Sequence, residues 1–142
     1  MVLTGVGGVL AGVLIFLIVL ALAGPRSAKQ AANATFKVGP ANRLAPEIAR
    51  DGPLLFQDLF NHSRDIYVQH LGGADWRAFE AHAPDAPRRC VLRWRPEDRQ
   101  FFDPCDGRTY PAGGSGLTSY RTQVDKHGVV IVDLDAPVGA GP

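Results

Sequence analysis

Residues 2–23 carry no charged side chain and a single polar one, Thr4. Nothing else in the chain limits its possible structures so strongly. As a helix rising about 1.5 Å per residue, the run reaches about 33 Å, enough for a hydrocarbon core of about 30 Å. Residues 1–24 are therefore expected to form one membrane-spanning anchor. The rival reading is a cleaved secretory signal, because Ala21-Leu22-Ala23 resembles a cleavage site. Against it, no Lys or Arg precedes the run, and the run exceeds the roughly 7–15 residues of a signal core. Gly8 and Gly12 make one G-x-x-x-G, a spacing that lets two helices approach closely. In a stretch this rich in glycine, a chance match accounts for it equally well.

After the run come Arg26, Lys29, Lys37, Arg43 and Arg50 against one acid, Glu47. By the positive-inside rule this charge bias places the following domain in the cytoplasm. Of the 142 residues, about 119 remain beyond the anchor, enough for one domain and too few for two. The net charge is +1. Phosphate binding needs a dense basic face, so nucleic acid is excluded as the main partner. The 16 glycines and 11 prolines divide the chain into short pieces, as β structure with many turns requires.

Residues 25–50 are rich in Ala, Asn, Pro and Lys without a clear apolar period, and read as a juxtamembrane linker. A β domain is expected over 51–135 and a flexible tail over 136–142. Leu54, Leu55, Phe56, Leu59 and Phe60 form a first apolar cluster. Residues 64–71 alternate through Ile66, Val68 and His70, which predicts a strand ended by Gly72-Gly73. A second strand is expected over 75–83. Cys90, Leu92 and Trp94 share one face of a third. The turn Arg95-Pro96-Glu97-Asp98 then folds residues 100–102 back on it as a hairpin. Asp106-Gly107 is a strong turn signal. Two more strands are expected over 120–124 and 129–134. The soluble part reads as a small, all-β antiparallel domain of six to eight short strands.

The stretch from Cys90 to Tyr110 reads C-V-L-R-W-R-P-E-D-R-Q-F-F-D-P-C-D-G-R-T-Y. It resembles, without a gap, the cluster-binding part of Rieske iron–sulfur proteins of quinol-oxidising cytochrome complexes. Those carry C-T-H-L-G-C in one loop and C-P-C-H-G-S in a second, with a hairpin between. Cys90 falls on the last Cys of the first loop, Trp94 on a following Trp, and Phe101-Phe102 on the strand into the second loop. Asp103-Pro104-Cys105-Asp106-Gly107-Arg108 falls on C-P-C-H-G-S, and Tyr110 on an aromatic beyond. Residues 116–134 look like the closing strands. A membrane anchor followed by such a domain is the usual layout of that family.

The resemblance implies a Rieske-like fold and, in the family, a [2Fe–2S] cluster held by two Cys and two His. In this chain the ligand positions hold Asp85, Pro87, Cys105 and Asp106, so only Cys105 matches. The family's loop-to-loop disulfide would join Cys90 to position 103, which is Asp. None of His62, His70, His82 and His127 stands at a Rieske spacing from a cysteine; His82, just before the first loop, is the nearest. A zinc site from Cys90, Cys105 and His82 lacks the paired ligand spacing usual for closed sites. Because the two loops lie side by side in that fold, the resemblance admits a Cys90–Cys105 disulfide. Two buried thiols are the alternative, which a cytoplasmic domain favours.

Asp85, Asp103 and Asp106 would line the emptied loops. They suggest a hard cation, or merely the turn residues that Asp-Pro and Asp-Gly ordinarily supply. Neighbouring carboxylates disfavour a Cys105 thiolate, and no nucleophile–base or phosphate-cradling pattern occurs elsewhere. A non-enzymatic role is therefore expected. Arg88, Arg89, Arg93 and Arg108 crowd the loops around Trp94, with Arg95 and Arg99 beside them. This composition suits an interaction rim toward another membrane or respiratory-type protein, or toward anionic lipid. A solvated rim with Trp94 in the core fits it as well. The functional expectation is a membrane-anchored Rieske-like module that has lost its cluster ligands, carries no cofactor and serves as an accessory or interaction subunit. The alternative is an electron-transfer Rieske subunit of a quinol-oxidising or oxygenase complex.

Overall fold

The computed structural model describes residues 34–59 and 64–139. The expected anchor with Gly8 and Gly12, the residues around Arg26 and Lys29, and His62 lie outside the described residues. Among those described, no helix is long and apolar enough to cross a membrane.

Among the described residues, nine strands and one helix follow in the order β1 (Thr35–Pro40), α1 (Ala41–Asp51), β2 (Leu54–Asp58), β3 (Arg64–His70), β4 (Trp76–Glu80), β5 (Arg93–Arg95), β6 (Gln100–Phe102), β7 (Thr109–Pro111), β8 (Ser119–Val124) and β9 (Val129–Val138). Six strands form an antiparallel sheet in the order β1-β9-β8-β4-β3-β2. The other three form a small antiparallel sheet, β5-β6-β7, inserted in sequence between β4 and β8. The expected all-β antiparallel class is found. So are the strand at 64–71, the hairpin of 90–102 and the two closing strands.

The linker expected over 25–50 is not what residues 35–51 form. Strand β1 pairs with β9 along its length, from Thr35 opposite Asp133 to Pro40 opposite Val129. Helix α1 follows directly and buries Leu44 and Ile48, four residues apart on one face. Its first amide, Ala41 N–H, donates to Gly128 O in the β8–β9 turn at 2.8 Å. That bond replaces a side-chain cap, which Pro40 cannot provide. Pro46 sits inside the helix, and only two apolar positions face inward, so the sequence pattern is faint. The tail expected from 136 is likewise partly strand, since β9 continues to Val138, opposite Ser119 of β8.

Strands β3 and β4 are central because both of their faces are covered. Ile66, Val68, Trp76 and Ala78 join Leu44, Ile48, Tyr120, Val130, Val132 and Leu134 in one core. Tyr67 and Phe79, on the opposite face, join Leu92, Phe101, Tyr110 and Leu117 in a second core beneath the small sheet. Successive residues of a strand point to opposite faces. That alternation divides β3 between the two cores.

Three rings form a row across the small sheet. Trp94 of β5 stands opposite Phe101 of β6, which stands opposite Tyr110 of β7. Phe101 is fully buried, with ring centres of Tyr67 at 4.8 Å, Trp94 at 5.0 Å and Phe79 at 5.2 Å. This aromatic cluster seats the loops on the main sheet.

Candidate functional site

Two loops rise from this seat. The first, residues 83–90, is closed by two turns, Ala86 N–H to Ala83 O at 3.1 Å and Cys90 N–H to Pro87 O at 2.8 Å. Asp85 takes a left-handed backbone there, φ 64°, which a short polar side chain tolerates better than most. Beyond the loop, Leu92 N–H donates to Ala81 O at 2.8 Å, fixing Cys90 at the loop's end. The second loop, residues 103–108, is a narrow excursion between β6 and β7. Asp103 N–H donates to Arg108 O and Gly107 N–H to Asp103 O, at 2.8 and 2.9 Å. Gly107 has φ 78°, the left-handed region that glycine enters without strain.

Cys90 and Cys105 are joined as a disulfide across the loops, with Cα atoms 5.8 Å apart. The open choice between a bridge and two thiols is thus resolved as a bridge. Cys90 is buried and Cys105 exposed. Between them lies Asp103, which is fully buried. One carboxylate oxygen, Oδ1, accepts from Cys105 N–H at 2.8 Å; the other, Oδ2, has no hydrogen-bond partner.

The three expected acids separate. Asp106 is exposed and turns to Arg108, accepting from its backbone N–H at 2.9 Å and from its guanidinium. Those bonds hold the Asp106 carboxyl below the usual carboxylate range, the backbone bond contributing most. Asp85, also exposed, lines a shallow cleft with Glu80, His82, Arg88 and Thr118. Only Asp103 stays with the cysteines.

The described histidines, His70, His82 and His127, do not gather at the loops. His70 packs on the Trp76 ring with centres 4.4 Å apart, and its Nε2 lies 3.0 Å from Gly73 O. His127 is in the β8–β9 turn. His82, the nearest in sequence, points to Asp65, with Nε2 3.3 Å from Oδ2.

Asp65 itself gave no functional signal in the sequence. It is buried on the second face of β3 and receives the Arg88 guanidinium, Nη2 to Oδ1 at 2.9 Å and Nε to Oδ2 at 3.1 Å. Arg88 therefore ties the first loop to the sheet and is not a free member of the rim. Arg108 is bound to Asp106 and lies over the Tyr110 ring. Arg89 and Arg93 are exposed, and Trp94 is half-buried against Phe101. The clue to Asp65 was an acid directly before the apolar run Ile66-Tyr67-Val68, which must find a cation if both faces of the strand are covered.

The architecture is similar to the crystal structure of the cyanobacterial plasma membrane Rieske protein PetC3 from Synechocystis PCC 6803. The likeness covers 69% of this chain and 98% of that one, at 20% identity and a TM-score of 0.53. The fold is Rieske-like. No protein-family model and no curated protein matches the sequence.

A Rieske-like fold implies a [2Fe–2S] cluster, and the residues present do not fit one. The one matching ligand, Cys105, has its sulfur bonded to Cys90. The other ligand positions hold Asp85, Pro87 and Asp106. Proline has no donor side chain, and the cluster's histidine iron needs imidazole nitrogen. In this Rieske-like domain the disulfide links the two loops that a cluster would otherwise bridge.

Proposed function

We propose that the chain is a membrane-tethered, Rieske-like β domain that works without an iron–sulfur cluster, as a non-catalytic accessory or interaction module. The observation that carries this reading is the Cys90–Cys105 bridge, which takes up the one sulfur at a ligand position. The apolar run 2–23 supplies the tether. Exposed Arg89 and Arg93 beside half-buried Trp94 supply a contact rim suited to another membrane or respiratory-type protein.

The test is visible absorbance and electron paramagnetic resonance of the purified full chain in detergent, before and after anaerobic reduction, with iron analysis. The expected result is no reduced-cluster signal and substoichiometric iron. Stoichiometric iron with a reduced-cluster signal would overturn the proposal in favour of an electron-transfer subunit. The fold's likeness to a Rieske protein is what favours that second reading.

The side of the membrane is a separate part of the proposal. The excess of Lys and Arg after the anchor assigns the domain to the cytoplasm. The disulfide argues for an oxidising compartment. A topology reporter fused after Pro142 reads out which of the two prevails.

A further inference from the structure

Asp103 is the one group at the loops whose placement the disulfide leaves unexplained. A fully buried carboxylate oxygen without a donor is costly. Disulfide sulfurs cannot relieve it, because they carry no proton to donate. One ligand atom from each of Cys90, Asp103 and Cys105 lies within 4.8 Å of the others. Two sulfurs and an oxygen so placed need only small side-chain rotations to meet one ion at about 2.3 Å for sulfur and about 2.0–2.2 Å for oxygen.

We propose that reduction of the Cys90–Cys105 disulfide opens a site for a thiophilic divalent cation of the zinc class, held by Cys90 Sγ, Cys105 Sγ and Asp103 Oδ2. The exposed Cys105 admits a dithiol reductant. The dithiol gives two electrons and two protons to the bridge: its own sulfurs close into a disulfide, the S–S bond breaks, and two thiols form. Binding the cation then releases both thiol protons, since the thiolate is the ligand. Two thiolates, one carboxylate and a divalent cation leave a net charge of minus one. The Arg108 guanidinium, which feels the charge of Asp103, offsets it in part. Three protein ligands leave a fourth position for water, as in open zinc sites. The cation thus replaces the disulfide as the link between the loops.

The test uses the full chain in detergent, reduced with a dithiol, freed of reductant without air, and titrated with cobalt(II) alone, then zinc. The expected result is thiolate-to-cobalt charge-transfer absorbance that saturates at one equivalent, is displaced by zinc, and is missing from the oxidised protein. Cys105→Ser abolishes it. Even outer-shell changes at metal sites cost roughly 10–100-fold in affinity, so Asp103→Asn weakens binding about tenfold or more. No charge-transfer absorbance after reduction, equal binding by the oxidised chain, or unchanged affinity in Asp103→Asn would each overturn the proposal.

Should Asp103→Asn fail to fold, zinc X-ray absorption and infrared difference spectra of the reduced wild type decide instead. Two sulfurs, together with a carboxylate band that shifts in the infrared difference spectrum on adding one equivalent of zinc, support the site; a shell without sulfur or an unshifted carboxylate refutes it. The site rests on the absence of a cluster at Cys105, and the two readings fail separately, since iron and paramagnetic resonance are read on the chain as purified and cobalt binding on the reduced chain.

Discussion

The ion pair Arg88–Asp65 joins the first loop to strand β3 through a half-exposed cation and a buried acid. Asp65 is 4% exposed, and its carboxylate takes two bonds from Arg88 and a contact from His82. Breaking a buried pair from one side leaves an uncompensated charge, although the half-exposed Arg88 end lets water reduce the loss. Arg88→Ala is expected to destabilise the domain by about 2 kcal/mol. Asp65→Asn with Arg88→Ala should cost less than the sum of the two. Urea denaturation of the four proteins checks both statements. Two glycines give a second residue-scale contrast. A Cβ on Gly114, φ 75°, would lie 2.4–2.7 Å from the Phe79 ring, whereas one on Gly73, φ 56°, would meet nothing within 4 Å. Gly73→Ala should therefore cost about 1 kcal/mol from backbone strain alone. Gly114→Ala should add about 1–3 kcal/mol of overpacking, read in the same denaturation series.

Among the elements, α1 is where the structure departs most from its sequence. Ile48 is 4% exposed beneath it, so Ile48→Ala is expected to lower stability by about 2–4 kcal/mol, measured by thermal or urea unfolding. A linker residue would show almost no change. The pattern was hard to read because Pro40 precedes and Pro46 interrupts a helix with only two fully buried apolar positions. Its start is satisfied by Gly128, some 87 residues away, and no local cap announces it. By contrast, β3 was plain from Ile66 and Val68. That its second face is also buried was not plain, because Asp65 and Gln69 place polar side chains on it. The polar groups of that face have protein partners: Tyr67 O–H donates to Leu92 O at 2.7 Å, and Gln69 Oε1 accepts from His70 N–H.

One phenol of β8 reaches across the next two strands of the main sheet. Tyr120 donates to Glu80 of β4 and accepts from Arg64 of β3. Burial first, and the Glu80 carboxylate second, push the Tyr120 hydroxyl up to about 12. An acid raised above its unfolded value of about 10 favours the folded state below that pH. The contribution is lost as pH rises from about 10 through about 12. Tyr120→Phe should flatten that part of the stability–pH curve relative to wild type, followed by urea midpoints between pH 9 and 12 (roughly the window set by the two values).

At the largest scale, the described residues from Ala34 onward form a main sheet with a smaller sheet seated on it, and the disulfide closes the loops at the far end of the smaller one. Its cysteines are 15 residues apart, and a loop of that size contributes about 3 kcal/mol by restricting the unfolded chain. Reduction, or Cys105→Ser, is expected to lower stability by about that amount. The Phe101 aromatic cluster should hold the small sheet in place, so near-ultraviolet circular dichroism at room temperature should persist. Collapse of that signal on reduction would mean that the bridge, and not the aromatic seat, holds the loops.

Along the chain alone one reads the apolar run, the strand alternation at 64–71, the hairpin of 90–102 and, through the Rieske resemblance, three ligand positions without Cys or His. These are local matters: a period, a turn signal, or a side chain of the wrong chemical type at a given position. The tertiary structure decided the rest, because it depends on what lies opposite. Thr35–Asp51 became strand and helix only through β9 and the core. Asp65 became a buried anchor only once the small sheet covered β3. Cys90 and Cys105 became a bridge, and Asp103 a buried acid beside it, only when two loops separated by a hairpin came side by side. Pairings between distant residues are fixed by burial and closure of the chain, which no local pattern records.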